Sequence, residues 1–291
     1  MKKTYSVYFF LVFFCQHIVA QNNIKYVTTS QLQYSNKSIS VIKLSVNDSA
    51  IKVNYFTNKY LGEESASKQF RNWSKNKNVL FFTSANYVSD PFSEYIRPVG
   101  LCINKGQVLN YNLSLGNLHG LVLITETGKI FVHNLKNAVL NIKNSNGKNI
   151  EFDLSNSMQR NQFFEWAIAE KLTVFQTHLF LYKNEILTSR DLTDTRPRRF
   201  LISGTDDSSN KSHYMMYIPT SSTINSAVDL VIGFLRDYED LKNIDFIINL
   251  DSGIHNIFGH FKAKNQLDNR SLFKGTITLE SAPNLLVYYV D

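Results

Sequence analysis

Residues 221–251 constrain the fold more than any other stretch of this 291-residue chain. Ile224, Ala227, Val228, Val231, Ile232 and Leu235 recur at helical spacing and form one continuous apolar stripe, so the segment predicts a helix with a buried face. Ser221, Ser222 and Thr223 precede it, and their hydroxyls can accept from the unpaired amides of a first turn. A short polar link, residues 240–243, then leads into Ile244-Asp245-Phe246-Ile247-Ile248, an apolar run that reads as a buried strand. A helix stripe followed at once by such a strand needs a sheet to pack on. The strand stops at a carboxylate, Asp251, where Ser252-Gly253 turn the chain.

Strand signals dominate elsewhere. Residues 39–44 and 51–56 nearly alternate apolar and polar, the pattern of half-exposed strands. Short apolar runs follow at 79–82, 99–103, 121–125 and 130–133, separated by turn signals such as Asn104-Lys105-Gly106 and Thr127-Gly128-Lys129. Further strands are predicted at 272–279 and 285–290. Residues 63–77 are polar and read as a loop or a short exposed helix. A second helical period runs through Phe164, Ala167, Ile168 and Leu172, after a cap at Asn156 or Ser157. No Pro/Gly/Ser-rich linker and no internal repeat interrupts the chain. The expectation is an α+β fold: a single domain with a large mixed or antiparallel sheet and a few packed helices. Its segments are a leader at 1–20, N-terminal strands and a loop at 21–77, and the main body at 78–291.

The leader rests on Lys2-Lys3, the short apolar block that follows, and Ile18-Val19-Ala20 before Gln21. A basic start, a short apolar core and a small residue at the exit describe a cleaved secretory signal. The block is too short for a transmembrane helix, which needs about 20 apolar residues, and no later segment reaches that length. The expected product is secreted or periplasmic, with its N-terminus near Gln21. Loss of Lys2 and Lys3 lowers the formal charge from +7 to +5. Bases are scattered rather than gathered on one face, so nucleic acid is not an expected partner. After the leader only Cys102 remains, inside an apolar run, and it reads as a small core residue. With no internal disulfide, stability has to come from a buried core.

Four chemistries can be tested against the motifs. Leu250-Asp251-Ser252-Gly253 matches the catalytic loop of aspartic proteases, but that reaction needs two such carboxylates, and a single copy is present. Histidines 119, 133, 178, 213, 255 and 260 are dispersed, with no i, i+4 helical pair for a transition metal. A calcium or magnesium ion held by Asp251 and backbone oxygens stays open as a cofactor. No Gly-x-Ser-x-Gly turn announces a serine nucleophile. Finally, Arg196-Pro197-Arg198-Arg199 enters an apolar strand, which suits either a phosphate or carboxylate ligand or a surface ion pair with Asp191 or Asp194.

Taken in order, several short motifs are similar to those of the phosphodiester glycosidase family, the relatives of the lysosomal enzyme that uncovers mannose 6-phosphate. They are Ser84-Ala85-Asn86-Tyr87-Val88; Pro98-Val99-Gly100-Leu101 with Asn104-Lys105-Gly106; and Phe175-Gln176-Thr177-His178-Leu179. Arg198-Arg199-Phe200-Leu201-Ile202, the 224–235 stripe and Asn249-Leu250-Asp251-Ser252-Gly253 complete the series, which spans roughly residues 78–262. The resemblance implies hydrolysis of a sugar–phosphate diester or a related glycosidic bond, with a glycan or sugar-phosphate ligand. It makes Asp251 a general acid/base or ion ligand, Arg199 or its neighbour Arg198 the phosphate holder, and His178 or His255 proton carriers. Ser84, Gln176 and Ser252 are further ligand-facing positions. Because the two arginines point to opposite faces of a strand, Arg199, deeper in the apolar run, is the stronger choice.

The departures matter equally. The family's turn asparagine corresponds to Ser84, and its Gly-Gly-Gly-Ser run has become Ser252-Gly253-Ile254-His255. Side chains at 252 and 254 obstruct the close backbone approach that glycines give a phosphate. Two functions therefore follow from the same residues: an exported hydrolase, or a non-catalytic module that keeps a polar cleft for a glycan or a protein.

Overall fold

A computed structural model describes residues 26–46, 50–58, 64–89, 97–116, 118–143, 147–187, 193–263, 266–267 and 277–291. The leader at 1–20, Asp191 and most of the strand expected at 272–279 lie outside the described residues. The body is rich in strand, and among the described residues three helices pack on it: α1 (Ala66–Ser74), α2 (Ser157–Ala169) and α3 (Ile224–Asp237). Every described strand pairing is antiparallel, so the sheets are antiparallel rather than mixed.

The largest sheet runs in the order Val27–Tyr34, Lys37–Ser45, Lys211–Ser222, Arg196–Thr205, Asn243–Leu250, Thr173–Tyr182, then Cys102–Asn104 and Gln107–Asn110. A second sheet orders Gln266–Leu267, Phe258–Ala263, Asn78–Thr83, Asn284–Val290 and Ile51–Thr57. Strands from both sides of residue 77 share these sheets, since Lys37–Ser45 pairs with Lys211–Ser222 and Ile51–Thr57 with Asn284–Val290.

The period of two along each strand divides the core. Leu201, Ile248, Leu250 and Met215 point inward to Phe81, Leu286 and Tyr288 of the second sheet. Their neighbours Phe200, Ile247 and Met216 point outward and are covered by α3. Helix α1 covers the outer face of the second sheet. Helix α2 and the separate ribbon of Val139–Lys143 and Asn149–Asp153 cover the arm built from Leu101, Leu121, Leu123 and Val174.

The caps explain where the helices begin. Thr223, not Ser221 or Ser222, caps α3 by accepting from Ser226 N, because the two serines complete the strand Lys211–Ser222. Asn156 caps α2, accepting from Met158 N and Gln159 N. That helix ends at Ala169, so Leu172 belongs to the turn before the next strand. Residues 63–77 contain α1, capped by Ser65. Leu279–Ser281 form a 3-10 turn instead of the end of a strand. On α3, Gly233 is required by a close approach. A Cβ there would lie 2.6 Å from the hydroxyl of Tyr34, which donates to Asp237 Oδ2 at 2.6 Å and ties the first strand to the helix.

All six residues of the 224–235 stripe are buried, Val231 completely. A carboxylate at that position would be buried without a partner. Val231→Asp is therefore expected to cost several kcal/mol, more than about 3 kcal/mol. Urea denaturation showing a stability within about 0.5 kcal/mol of the parent would mean that the stripe is not a core face.

Candidate functional site around Asp251

The strand Asn243–Leu250 delivers Asp251 to the junction of the two sheets. Asp251 N donates to Ala85 O at 2.9 Å, and Ser84 N donates to Ile257 O at 3.1 Å. Ser84 Oγ also donates to the backbone oxygen of Asp251. The turn 84–86 is held from behind by Asn284, whose Oδ1 accepts from Ala85 N at 2.8 Å and whose Nδ2 donates to Asn86 O at 3.1 Å. Asn86 in turn accepts from Tyr55 OH at 2.6 Å. The two loops that carry the site are thus fixed to each other by main-chain bonds.

Asp251 is only 7% exposed. Burial raises its carboxyl above the ordinary carboxylate range; the Gly253 amide, bonded to Oδ1 at 2.9 Å, and then His255, Arg196 and Arg199 oppose that rise. The net direction is upward, so Asp251 holds its proton to higher pH than a free carboxyl does. His255 lies in the turn after it, and both ring nitrogens are buried with no hydrogen bond inside the protein. Arg196 faces the carboxylate across Gly253. A Cβ on that glycine would lie 3.3 Å from Asp251 Oδ1 and 3.5 Å from Arg196 Nη1.

A second row stands beside this group. His178 pairs in register with Asn249, and Asn249 pairs with Phe200, so the three residues lie across three adjacent strands. Asn249 Nδ2 donates to the hydroxyl of Tyr87, and the His178 and Tyr87 rings meet edge to face at 5.0 Å. Burial, and then the Asp251 carboxylate, raise the Tyr87 hydroxyl above the ordinary phenol range, which keeps it protonated. Asp251, His255, Arg196, Tyr87, Asn249 and His178 make up the candidate site.

The remaining expected residues are engaged inside the protein. Arg199 is fully buried, and its Nη1 donates to Thr83 Oγ1 at 3.0 Å, Ile257 O at 2.9 Å and, more weakly, Ser84 Oγ at 3.4 Å. Its guanidinium lies between the Tyr217 and Phe258 rings, 5.1 and 5.2 Å from their centroids, with Nε and Nη2 unpartnered. Burial lowers it to about 10, so it remains a cation at neutral pH. Arg198 turns to the other face, where Nε donates to Ser222 O at 3.2 Å and Nη2 to Asp194 O at 2.6 Å. Gln176 spends its whole amide on backbone: Oε1 accepts from Leu101 N and Ser114 N, and Nε2 donates to Ser114 O and Leu118 O. This explains Gly100, whose φ of +77° suits glycine and whose added Cβ would sit 2.8 Å from that Oε1. Ser252 Oγ donates to Pro197 O at 2.8 Å.

Arg196, Tyr87 and Asn249 lie within the quoted motifs but carry no sequence signal that sets them apart, because their approach to Asp251 depends on strand register. Cys102 is buried, with its thiol pushed up to about 12 by burial, which leaves it unreactive at neutral pH. Among the described residues no group of three or more His, Cys, Asp and Glu side chains is placed to hold a metal ion. No described helix is long and apolar enough to cross a membrane.

No known family profile matches the chain, and no curated protein matches it in sequence. Solved structures do. A hypothetical protein from Synechocystis is similar at 9% identity and a TM-score of 0.50, over 92% of this chain and 62% of that one. The chain thus spans about three fifths of that protein's length. The zebrafish N-acetylglucosamine-1-phosphodiester alpha-N-acetylglucosaminidase catalytic domain, auto-inhibited by its pro-peptide, is similar at 12% identity and a TM-score of 0.46, over 91% of this chain and 82% of that one. What is shared with the first is a fold. At such identities a function does not follow from it.

The raised Asp251 carboxyl gives a test with a definite sign. Its folded-state value lies above the unfolded one, so its stabilising contribution is complete below the ordinary carboxylate value and is lost as pH rises through the folded value. Asp251→Asn keeps an oxygen for the Gly253 amide and removes the charge. The variant is expected to melt higher than the parent at pH 7, with the difference shrinking as pH falls below the usual carboxylate range. An equal or lower melting temperature at pH 7 would contradict this environment.

Proposed function

We propose that the protein is an exported hydrolase of the phosphodiester glycosidase type, acting on a sugar–phosphate diester or a related glycosidic bond. The observation that carries this reading is a buried carboxyl at a strand end, shifted by burial to hold its proton to higher pH, beside His255 and facing Arg196. A protonated Asp251 can give its proton to the departing oxygen as the bond to the sugar carbon breaks. Water supplies the replacing hydroxyl and releases its own proton, for which His255 is the nearby acceptor. Arg196 is the cation placed to meet a phosphate, and its existing pairing with Asp194 is a half-exposed ion pair that a ligand can replace at little cost. The ordered series of motifs from Ser84 to Gly253 supports the same reading. In it Arg199, Ser84 and Ser252 hold the loops in place, while His178 and Tyr87 form the wall beside the reacting group.

One observation favours the second reading, a ligand-holding module without turnover. Ile254, at the tip of the Asp251 loop, is 58% exposed, so an apolar side chain stands where the family's glycines open the backbone to phosphate.

Aryl and glycosyl phosphodiesters distinguish the two. Turnover is expected, with Asp251→Asn lowering kcat by roughly 10²–10⁴-fold. Arg196→Ala is expected to raise KM by on the order of tenfold. Turnover indifferent to Asp251→Asn would refute the acid role. Binding dependent on Arg196 with no turnover would establish the module instead.

Export rests on the basic, short apolar start of the chain. Mass spectrometry of protein recovered from its native host is expected to place the N-terminus close to Gln21. An intact Met1 would exclude cleavage.

A further inference from the structure

Away from Asp251, a cavity of about 890 Å³ opens between α2, the hairpin Gly120–Ile124/Ile130–Asn134 and the ribbon Val139–Lys143/Asn149–Asp153. It shares no residue with the site described above. Its volume is in the range of pockets that enclose small organic ligands, roughly 300–1,000 Å³. The walls are mainly apolar, from Leu123, Phe131, Ile142 and Leu172, and Phe131 is 47% exposed although it lies within a strand.

Trp166 lines the cavity, with its indole Nε1 buried within the wall. The rim specifies the occupant. At the rim, Lys129 and Lys143 are exposed and make no ion pair among the described residues. The two rim carboxylates are engaged within the protein: Glu126 holds Lys171 at 3.0 Å, and Glu170 has a partner of its own. An apolar chamber with two unmatched cations at its mouth matches a single chemical class.

We infer that this cavity binds a small amphiphilic anion, an apolar chain or ring bearing a carboxylate or a similar acidic head. The apolar body fills the space against Leu123, Ile142 and Leu172. The head stays at the mouth and meets Lys129 and Lys143. Released water and buried apolar area supply most of the affinity, and the lysines select the charged head.

Decanoate is a suitable probe, because the chain contains two tryptophans and the other, Trp73, packs against Phe56 and Tyr289 in a separate layer. In Trp73→Phe protein the emission of Trp166 reports the cavity alone. Decanoate is expected to shift that emission with one-to-one stoichiometry in the micromolar range, and uncharged decanol to bind more weakly. Reversing both exposed lysines, Lys129→Glu with Lys143→Glu, is expected to weaken decanoate by roughly tenfold or more at low ionic strength, and to leave decanol little changed. No emission change up to millimolar decanoate would overturn the site. Equal binding of decanol, or indifference to the lysine reversals, would overturn its preference for an anion. The double lysine variant changes only surface groups, so loss of folding would not explain its result.

Discussion

Arg199 is the group on which the junction of the two sheets depends. It belongs to the strand Arg196–Thr205 of the large sheet, yet every hydrogen bond that its Nη1 makes is to the second sheet and its loops, at the strand end Thr83 and at Ser84 and Ile257. A buried cation without a bonded carboxylate is expensive, and three neutral acceptors compensate only part of that cost. The Tyr217 and Phe258 rings offset a further part as two cation–π contacts, each contributing about 0.5–2 kcal/mol. Its full positive charge is therefore held under the Asp251 loop by geometry that leaves little freedom of movement. The consequence is positional. Residues 83–84 and 257 cannot shift relative to the arginine strand without stranding that charge.

Asp251 inherits this rigidity. Its amide is fixed by Ala85 and its carbonyl by Ser84, so the carboxyl projects from a point set by both sheets. The same packing that fixes it also removes water from it, and burial is the largest influence on its protonation. Rigidity and a raised carboxyl therefore have a single origin. A general acid needs both: a defined direction of approach, and a proton retained above the ordinary carboxylate range.

The legibility of the fold in the sequence followed from how local each signal is. The 224–235 stripe and the strand after it were readable because helical and strand periods are properties of neighbouring residues. Lys211–Ser222, the longest strand, was not read, because His213, Tyr214, Met215, Met216 and Tyr217 form a run without alternation, buried on both faces. Such a run carries no period-two signal. The ribbon of Val139–Lys143 and Asn149–Asp153 was missed for a different reason. Its two strands are only five residues each, and although Leu140, Ile142, Ile150 and Phe152 alternate with polar neighbours, so short a period is a weak signal.

The site divides along the same line. That Arg198 and Arg199 face opposite ways was legible, since strand geometry alone requires it. Which of the arginines stays half-exposed beside Asp251 was not. Depth in an apolar run favoured Arg199, but depth is what commits its Nη1 to Thr83 and Ile257 and encloses the rest of the guanidinium between two rings. Arg196, two residues before the buried pair, sits where the register with Lys211–Ser222 slips between 196 and 198. That irregularity frees it from the regular alternation and lets it reach across Gly253 to Asp251. Burial thus separates the basic residues entering this strand: the innermost arginine braces the structure, and the one at the irregular edge stays half-exposed, paired with Asp194.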